Sequence, residues 1–269
     1  MHASATTMAM APPPPATADA PVALFISDLH LQQNAPHTAA AFFGFLRMQA
    51  PLAQQLYILG DLFEYWAGDD DLGGSFNASV VAALRGAAAA GVALYWMAGN
   101  RDFLIGAAFA AASKLTLLPD PSIVTIAGRR LVLTHGDAAC TDDTDYQQLR
   151  RQLRDPTWQR GFLAQPLATR LAQIAGLREG SRNAQKTKSA AIMDVNDRAI
   201  AALFHDTDTD CMIHGHTHRP ASHVIVLDDG VQRARHVLSD WDFEHGDARG
   251  DALAIDADGN VARLEVRAA

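Results

Sequence analysis

Short apolar runs alternate with longer helix-spaced segments along this chain, and most runs stop at a glycine or a polar residue. Val22-Ala23-Leu24-Phe25-Ile26-Ser27 predicts a first strand, ending in Asp28-Leu29-His30. Apolar positions at helical spacing follow through Phe42, Phe43, Phe45 and Leu46, and Pro51 marks the stop. Leu56 to Leu59 predicts a second strand, ended by Gly60-Asp61. An alanine-rich helix is expected over Ser75 to Ala90, stopped by Gly91. Val92 to Met97 predicts a third strand, ending in Gly99-Asn100-Arg101-Asp102. A short helix near Ala107 to Ala112 precedes strand-like runs at Leu115 to Leu118 and Ile123 to Ile126. Leu131 to Thr134 and Cys211 to Ile213 predict two more strands, running into His135-Gly136-Asp137 and His214-Gly215-His216-Thr217-His218. Between them Tyr146 to Phe204 has no strand signal and reads as helical. The remainder, Val224 to Leu227, Arg235 to Leu238, Leu253 to Ile255 and Val261 to Val266, predicts β hairpins turned by Asp228-Asp229-Gly230 and Asp258-Gly259-Asn260. The class is α/β (α+β), one domain over 21–269.

The strand ends carry the chemistry. Ligand sites of open α/β sheets lie just beyond the carboxyl ends of the strands. One aspartate there is ordinarily a helix N-cap, and one histidine is ordinarily packed or on the surface. Here strand end after strand end supplies a ligand type: Asp28, His30, Asp61, Asn100, His135, His216 and His218. Imidazoles, two carboxylates and an amide, with no thiolate, suit Mn, Fe or Zn and are too nitrogen-rich for Ca or Mg. Such a set exceeds one tetrahedral centre and suffices for two ions if a carboxylate bridges. Two ions about 3.5–4 Å apart clamp an in-line displacement at phosphorus and lower the pKa of a shared water. A serine or cysteine nucleophile is then unnecessary.

Composition narrows the partners. The chain has 269 residues, is 49% hydrophobic and carries a net charge of -8, which argues against a nucleic-acid-coating protein. The charge is uneven: Tyr146 to Ala190 holds nine Arg/Lys against two acids, so that segment is +7 and the rest is -15. This predicts either a solvated helical surface or a basic lobe facing an anionic substrate or membrane. Two cysteines without a pairing motif fit a reducing compartment. Residues 1–20 are rich in Ala, Pro and Thr and lack a signal peptide's basic start and apolar core, so a disordered leader is expected. Met8 and Met10 are alternative starts. No apolar run approaches the ~20 residues that span a bilayer.

Taken together, Asp28-x-His30, Gly60-Asp61-x-x-Glu64, Gly99-Asn100-Arg101-Asp102, His135-Gly136-Asp137 and Gly215-His216-Thr217-His218 resemble the calcineurin-like metallophosphoesterases, from Val22 to about Trp241. The resemblance implies a β-sandwich flanked by helices, with about 146–204 as an inserted helical cap. It also implies a dinuclear centre, with Asp28, His30, Asp61 and His218 on one ion and Asp61, Asn100, His135 and His216 on the other. The superfamily commonly has histidine where this chain has Arg101. A guanidinium is permanently charged and cannot act as a general acid, but it binds diphosphate oxygens bidentately. The site therefore looks made for pyrophosphate cleavage.

That variant, with Cys140-Thr141-Asp142-Asp143 and Ala191-Ile192-Met193-Asp194-Val195-Asn196, resembles the branch acting on UDP-2,3-diacylglucosamine in lipid A biosynthesis. The resemblance implies two Mn²⁺ ions, attack of metal-bound water on the α-phosphate, and release of UMP and 2,3-diacylglucosamine 1-phosphate. Asn100, Arg101 and His216 would be catalytic. Substrate contacts would be Asn100, Arg101, Asp143, Tyr146, Arg178, Ser181, Gln185, Lys188 and His216, with Gln185 standing where an asparagine is expected. Trp158, Phe162, Leu163, Leu167, Leu171 and Ile174 recur at helical spacing in the insertion and serve either as core contacts or as a chamber for acyl chains. The expected partner is then the cytoplasmic face of the inner membrane, bound peripherally, and no nucleic acid. Another nucleotide phosphodiesterase, or a metal-dead scaffold, remains as an alternative. His214 is expected behind the metal pair, and Cys140 as a small packed residue rather than the nucleophile of a Cys-His pair. Glu64 is expected to cap, to orient a ligand or to pair with an arginine.

Overall fold

The computed structural model describes residues 20–187 and 194–266, and within them the side chains outside 178–187. The predicted leader lies outside these residues apart from Ala20. Among the described residues, one sheet runs β11-β10-β1-β2-β3-β4. Strands β1 (Ala23–Ile26), β2 (Gln55–Leu59), β3 (Ala93–Met97) and β4 (Leu115–Leu118) are parallel, and β10 (Asp251–Ile255) and β11 (Val261–Glu265) add an antiparallel hairpin. The second sheet, β5-β6-β7-β9-β8, is made of β5 (Ser122–Ile126), β6 (Arg129–Thr134), β7 (Cys211–His214), β8 (Ala221–Val226) and β9 (Gln232–Val237). Strands β6, β7 and β9 are mutually parallel, and β5 and β8 form antiparallel edges.

Side-chain alternation along each strand sorts the core into layers. Phe25, Tyr57, Leu59 and Met97 of the first sheet meet Leu131, Leu133, Cys211 and Ile213 of the second. Leu24, Ile26, Leu56, Ile58, Leu94 and Trp96 point the other way, against helices α1 (Pro36–Met48), α2 (Ser75–Ala89) and α3 (Ala107–Ser113). Val132 and Met212 pack on Ile200 and Phe204 of α7 (Asp197–Thr207). Burying one such side chain is worth roughly 1.5–3 kcal/mol, so register in the central strands is firmly set. This is the helix-flanked sandwich the sequence implied. The pattern missed the start of β8, three residues before Val224, because Ser222, His223 and Val224 are all exposed on that edge.

Among the described residues, 144–207 hold four helices: α4 (Thr144–Leu153), α5 (Pro156–Leu163), α6 (Leu167–Thr187) and α7. Several basic residues of this segment face inward. Arg170 is 1% exposed and pairs with Asp70 and the Ala67 carbonyl, and Arg150 holds Asp137 at 2.8 Å. The segment is therefore not a uniformly solvated basic face. Phe162 is buried, and Trp158 and Ile174 pack partly against the main core, whereas Leu163 is exposed.

The tail after Trp241 has a structural use the sequence did not reveal. Helix α1 begins without a local side-chain cap. Glu244 Oε1 accepts from the amides of His37 and Thr38 at 2.6 and 2.9 Å, capping the helix from more than 200 positions away. Glu244→Ala is expected to cost about 1 kcal/mol, the usual worth of a cap, with turnover unchanged. Denaturant titration checks it. Burial opposes ionisation of Glu244, but the amides of Thr38 and His37 and the His37 ring outweigh it and hold the carboxyl below its ordinary 4.5. A depressed carboxylate stabilises above its unfolded pKa. The difference between wild type and Glu244→Ala should thus be full at neutral pH and fade as pH falls below about 4.5.

Candidate active site

The carboxyl ends of β1, β2 and β3 in one sheet and of β6 and β7 in the other meet at one edge of the sandwich. Their loops deliver Asp28 and His30, Asp61, Asn100, His135, and His216 and His218. All seven residues predicted as ligands come together there. His30 Nε2 lies 3.4 Å from His218 Nε2, and His218 Nε2 lies 3.3 Å from Asp28 Oδ1. Asn100 Oδ1 lies 3.0 Å from His135 Nε2 and 2.9 Å from His216 Nδ1. Between these two groups stands Asp61: its Oδ2 is 3.9 Å from His30 Nε2 and 3.8 Å from His135 Nε2.

The facing atoms fit cations. His135 Nδ1 donates to the Leu59 carbonyl at 2.8 Å, so in the neutral ring Nε2 is a lone pair aimed at the Asn100 oxygen, another lone pair. His30 and His218 turn Nδ1 toward Glu64 and Asp240, so their Nε2 lone pairs face each other and Asp28. Buried Asp28 Oδ1 has no hydrogen-bond donor among the described residues. Acceptors this close repel unless a proton or a cation sits among them. Burial lowers the His135 pKa, but the carboxylates of Asp61, Asp28 and Asp137 outweigh it and raise the ring to about 9. The cavity thus draws positive charge. The nitrogen and oxygen donors match divalent transition ions.

The loops are strained to achieve this. Asp28, His30, Asp61, His216 and His218 all adopt left-handed backbone, with φ of 54, 48, 52, 68 and 54°. Each such conformation costs of order 1–3 kcal/mol and is held by local bonds. Asp28 Oδ2 accepts from Ser27 Oγ at 2.6 Å and from the His216 amide at 2.9 Å. Asp61 Oδ1 accepts from the Arg101 amide at 2.8 Å. Asp102, fully buried, accepts from the amides of Gly99, Asp61, Leu62 and Phe63 and so ties the two loops together. No helix starts after Asp61. Leu31 and Phe63 form an isolated bridge there, and the N-cap reading fails.

Sequence reasoning left three roles open for Glu64, of which orienting a ligand is the one its position fits, and gave Asp240 none. Glu64 Oε2 lies 2.9 Å from His30 Nδ1, and Asp240 Oδ2 lies 3.5 Å from His218 Nδ1. Asp137 accepts from Tyr146 Oη at 2.7 Å and from Arg150 Nε at 2.8 Å, anchoring α4 beside the cluster. The Tyr146 ring stacks on His216, with centroids 5.9 Å apart. Asp143 caps α4 through the Tyr146 amide at 3.1 Å. Arg101 presents a buried Nε with no acceptor among the described residues. The backbone of Arg178, Ser181 and Gln185 lies in α6, with side chains outside the described set, and Lys188 lies outside the described residues. His214 is buried behind the pair, donating to the Gly215 carbonyl at 2.9 Å and accepting from Arg235 at 3.2 Å. Burial pushes the Cys140 thiol up to about 12, which removes a thiolate nucleophile.

A sandwich with this donor set at one edge defines a class. The chain belongs to the calcineurin-like phosphoesterase family, whose model matches residues 22–220. Within it, the chain is 51% identical over 226 residues to the UDP-2,3-diacylglucosamine hydrolase of Aromatoleum aromaticum, covering 84% of this chain and 90% of that one. Proteins of the same name from Edwardsiella ictaluri and Bordetella pertussis are 44% and 46% identical over 236 residues each. They cover 88% and 87% of this chain, and 89% and 91% of their own lengths.

Proposed function

We propose that this chain hydrolyses the pyrophosphate bond of UDP-2,3-diacylglucosamine, giving UMP and 2,3-diacylglucosamine 1-phosphate. The observation that carries the reading is Asp61. Its Oδ2 stands between two imidazole groups, while its Oδ1 takes the amide of Arg101. The named relatives support the choice of nucleotide-lipid substrate.

Asp28, His30, Asp61 and His218 would hold one divalent ion, and Asp61, Asn100, His135 and His216 the other. Mn²⁺ is our choice among the ions that suit these donors. Two such ions supply an activated water and neutralise phosphoryl oxygens. Arg101 binds the diphosphate and stabilises charge developing on it. Burial, with His135 next, lowers the His216 pKa to about 4, so the ring is neutral and offers a nitrogen rather than a proton. Asp143, Tyr146, Arg178, Ser181, Gln185 and Lys188 complete the substrate contacts in this reading.

A cleft of about 300 Å³ is walled by Leu31, Phe63, Phe76 and Leu171, with Gln32, Asp71 and Asn77 among its polar lining. We assign it to acyl chain. No helix among the described residues is long and apolar enough to cross a membrane. We place the protein peripherally on the cytoplasmic face of the inner membrane, held through basic residues of the insertion at about 1 kcal/mol each. Anionic liposomes should then pull the protein down at low salt, and co-sedimentation absent at low salt overturns this placement. The net charge of -8 argues against nucleic acid as a partner.

The deciding test of the reaction is turnover of UDP-2,3-diacylglucosamine with Mn²⁺ in ¹⁸O-water. Label is expected in UMP. Label in the sugar phosphate refutes α-phosphate attack, and absence of reaction refutes the substrate.

A further inference from the structure

The imidazoles of the two halves of the cluster are backed differently. His30 and His218, the pair on the Asp28 side, each have a carboxylate in ion-pair contact with Nδ1, Glu64 at 2.9 Å and Asp240 at 3.5 Å, neither of them an aligned hydrogen bond. On the other side, His135 Nδ1 meets only the neutral Leu59 carbonyl at 2.8 Å, and His216 spends its Nδ1 on the cluster itself, 2.9 Å from Asn100. The carboxylates are themselves held. Asp240 is 5% exposed and receives the Arg249 guanidinium, with Nε at 3.0 and 3.1 Å and a terminal nitrogen at 2.6 Å. The adjoining Trp241 amide donates to the Asp28 carbonyl at 3.0 Å, so one short segment fixes both Asp28 and the ring opposite it. Arg249 is kept in place by paired backbone bonds with Asp242 at 2.9 and 3.0 Å.

A carboxylate charge close to Nδ1 favours the proton on that nitrogen and makes the far nitrogen a stronger donor. A carbonyl locks the ring with less charge. We infer that Glu64 and the Arg249-held Asp240 are positioning residues for His30 and His218, and that they make the Asp28–His30–Asp61–His218 half the tighter of two cation sites. The inference rests on the two-ion reading and adds an order of loading to it. Asp61 is common to both halves, and the first half also has the Asp28 carboxylate where the second has the Asn100 amide, so substitutions at Glu64 and Asp240 isolate what the backing carboxylates add. The tail after Trp241 thereby gains a role in the site through Arg249, which holds Asp240.

The test is calorimetric titration of metal-stripped protein with Mn²⁺ alone, without substrate. Wild type should bind two equivalents in separate steps. His135→Ala should keep the tighter step and lose the weaker one. Glu64→Gln and Asp240→Asn should each weaken the tighter step by about 10–100-fold, the usual cost of removing a ligand's outer partner, and leave the weaker step within error. Glu64→Asp or Asp240→Glu should recover part of the loss. Asp240→Asn leaves Arg249 without its charge partner, so its metal-free melting is recorded alongside. Glu64→Gln carries the test if Asp240→Asn does not fold. Unchanged tight binding in Glu64→Gln, or a loss falling on the weaker step, overturns the inference and leaves the two-ion reading standing. A wild type that binds fewer than two equivalents overturns both.

Discussion

Asp61→Ala is expected to lose turnover by at least ~10³-fold, well beyond the ~10–100-fold typical of outer partners, while remaining folded. The reason is geometric. Asp61 Oδ2 is the one carboxylate oxygen within 4 Å of an imidazole nitrogen on each side of the cluster, among the described residues. Its removal leaves no oxygen to hold two cations at the spacing that in-line attack needs. The fold should survive because Asp61 is costly when no cation is bound. Burial, with the charge of Asp61 next, raises the carboxyl of neighbouring Asp102 to about 7. Metal-free Asp61→Asn should therefore melt no lower than metal-free wild type, while binding Mn²⁺ poorly. Steady-state rates, thermal melting and metal content check the three parts together. Turnover at the wild-type rate in Asp61→Ala would sink the assignment of the site.

Gly99→Ala is expected to damage the site almost as severely, although the residue ligates nothing. A Cβ there would stand 2.0 Å from Asp61 Oδ1 and 2.2 Å from the Asp61 amide nitrogen. Neither atom can yield cheaply. The amide is held by Asp102 and the carboxylate by the Arg101 amide. Forcing extra volume into packed surroundings costs about 1–3 kcal/mol, occasionally more, and here the displaced atoms belong to the site. We expect a drop in melting temperature with loss of Mn²⁺ binding. Gly86→Ala is the contrasting substitution. It lies inside α2 with nothing within 4 Å of the new Cβ, so about 0.5–1 kcal/mol of stabilisation is expected. A Gly99→Ala protein with wild-type metal affinity would mean that the β3 loop does not hold Asp61 in place.

Much of the site was legible because its residues sit at punctuation marks. A buried parallel strand must end, and the residues just past its end face the crevice. Val22 to Ile26, Leu56 to Leu59 and Val92 to Met97 announced their strands through unbroken apolar runs, and the ligand types at their ends were then countable. The glycines before Asp61, Asn100 and His216 suggested where the backbone turns. The structure moves part of that strain elsewhere, since Asp28, His30, Asp61, His216 and His218 themselves take left-handed backbone. No local preference predicts left-handed aspartate and histidine at five ligand positions. Amides and hydroxyls from other loops impose it.

The supporting carboxylates were illegible for a related reason. Glu64 follows its strand closely, yet three roles were open to it until His30 Nδ1 was found 2.9 Å away. Asp240 and Arg249 carry no ligand signature at all, and Asp137 was visible only as a motif letter. Arg170 read as one more cation in a basic segment, because sequence counts charge without burial, and its partner Asp70 is 100 positions away. By itself the sequence determined the strand order of ligand types, the carboxylate-imidazole chemistry and the helical insertion, since these depend on composition and on periods of two and 3.6 residues. Tertiary structure alone decided which ring each carboxylate backs, how Asp61 stands between the two halves and how a tail glutamate caps a distant helix. Those are contacts between chain segments far apart in order, and their energies depend on a few tenths of an ångström that no local pattern encodes.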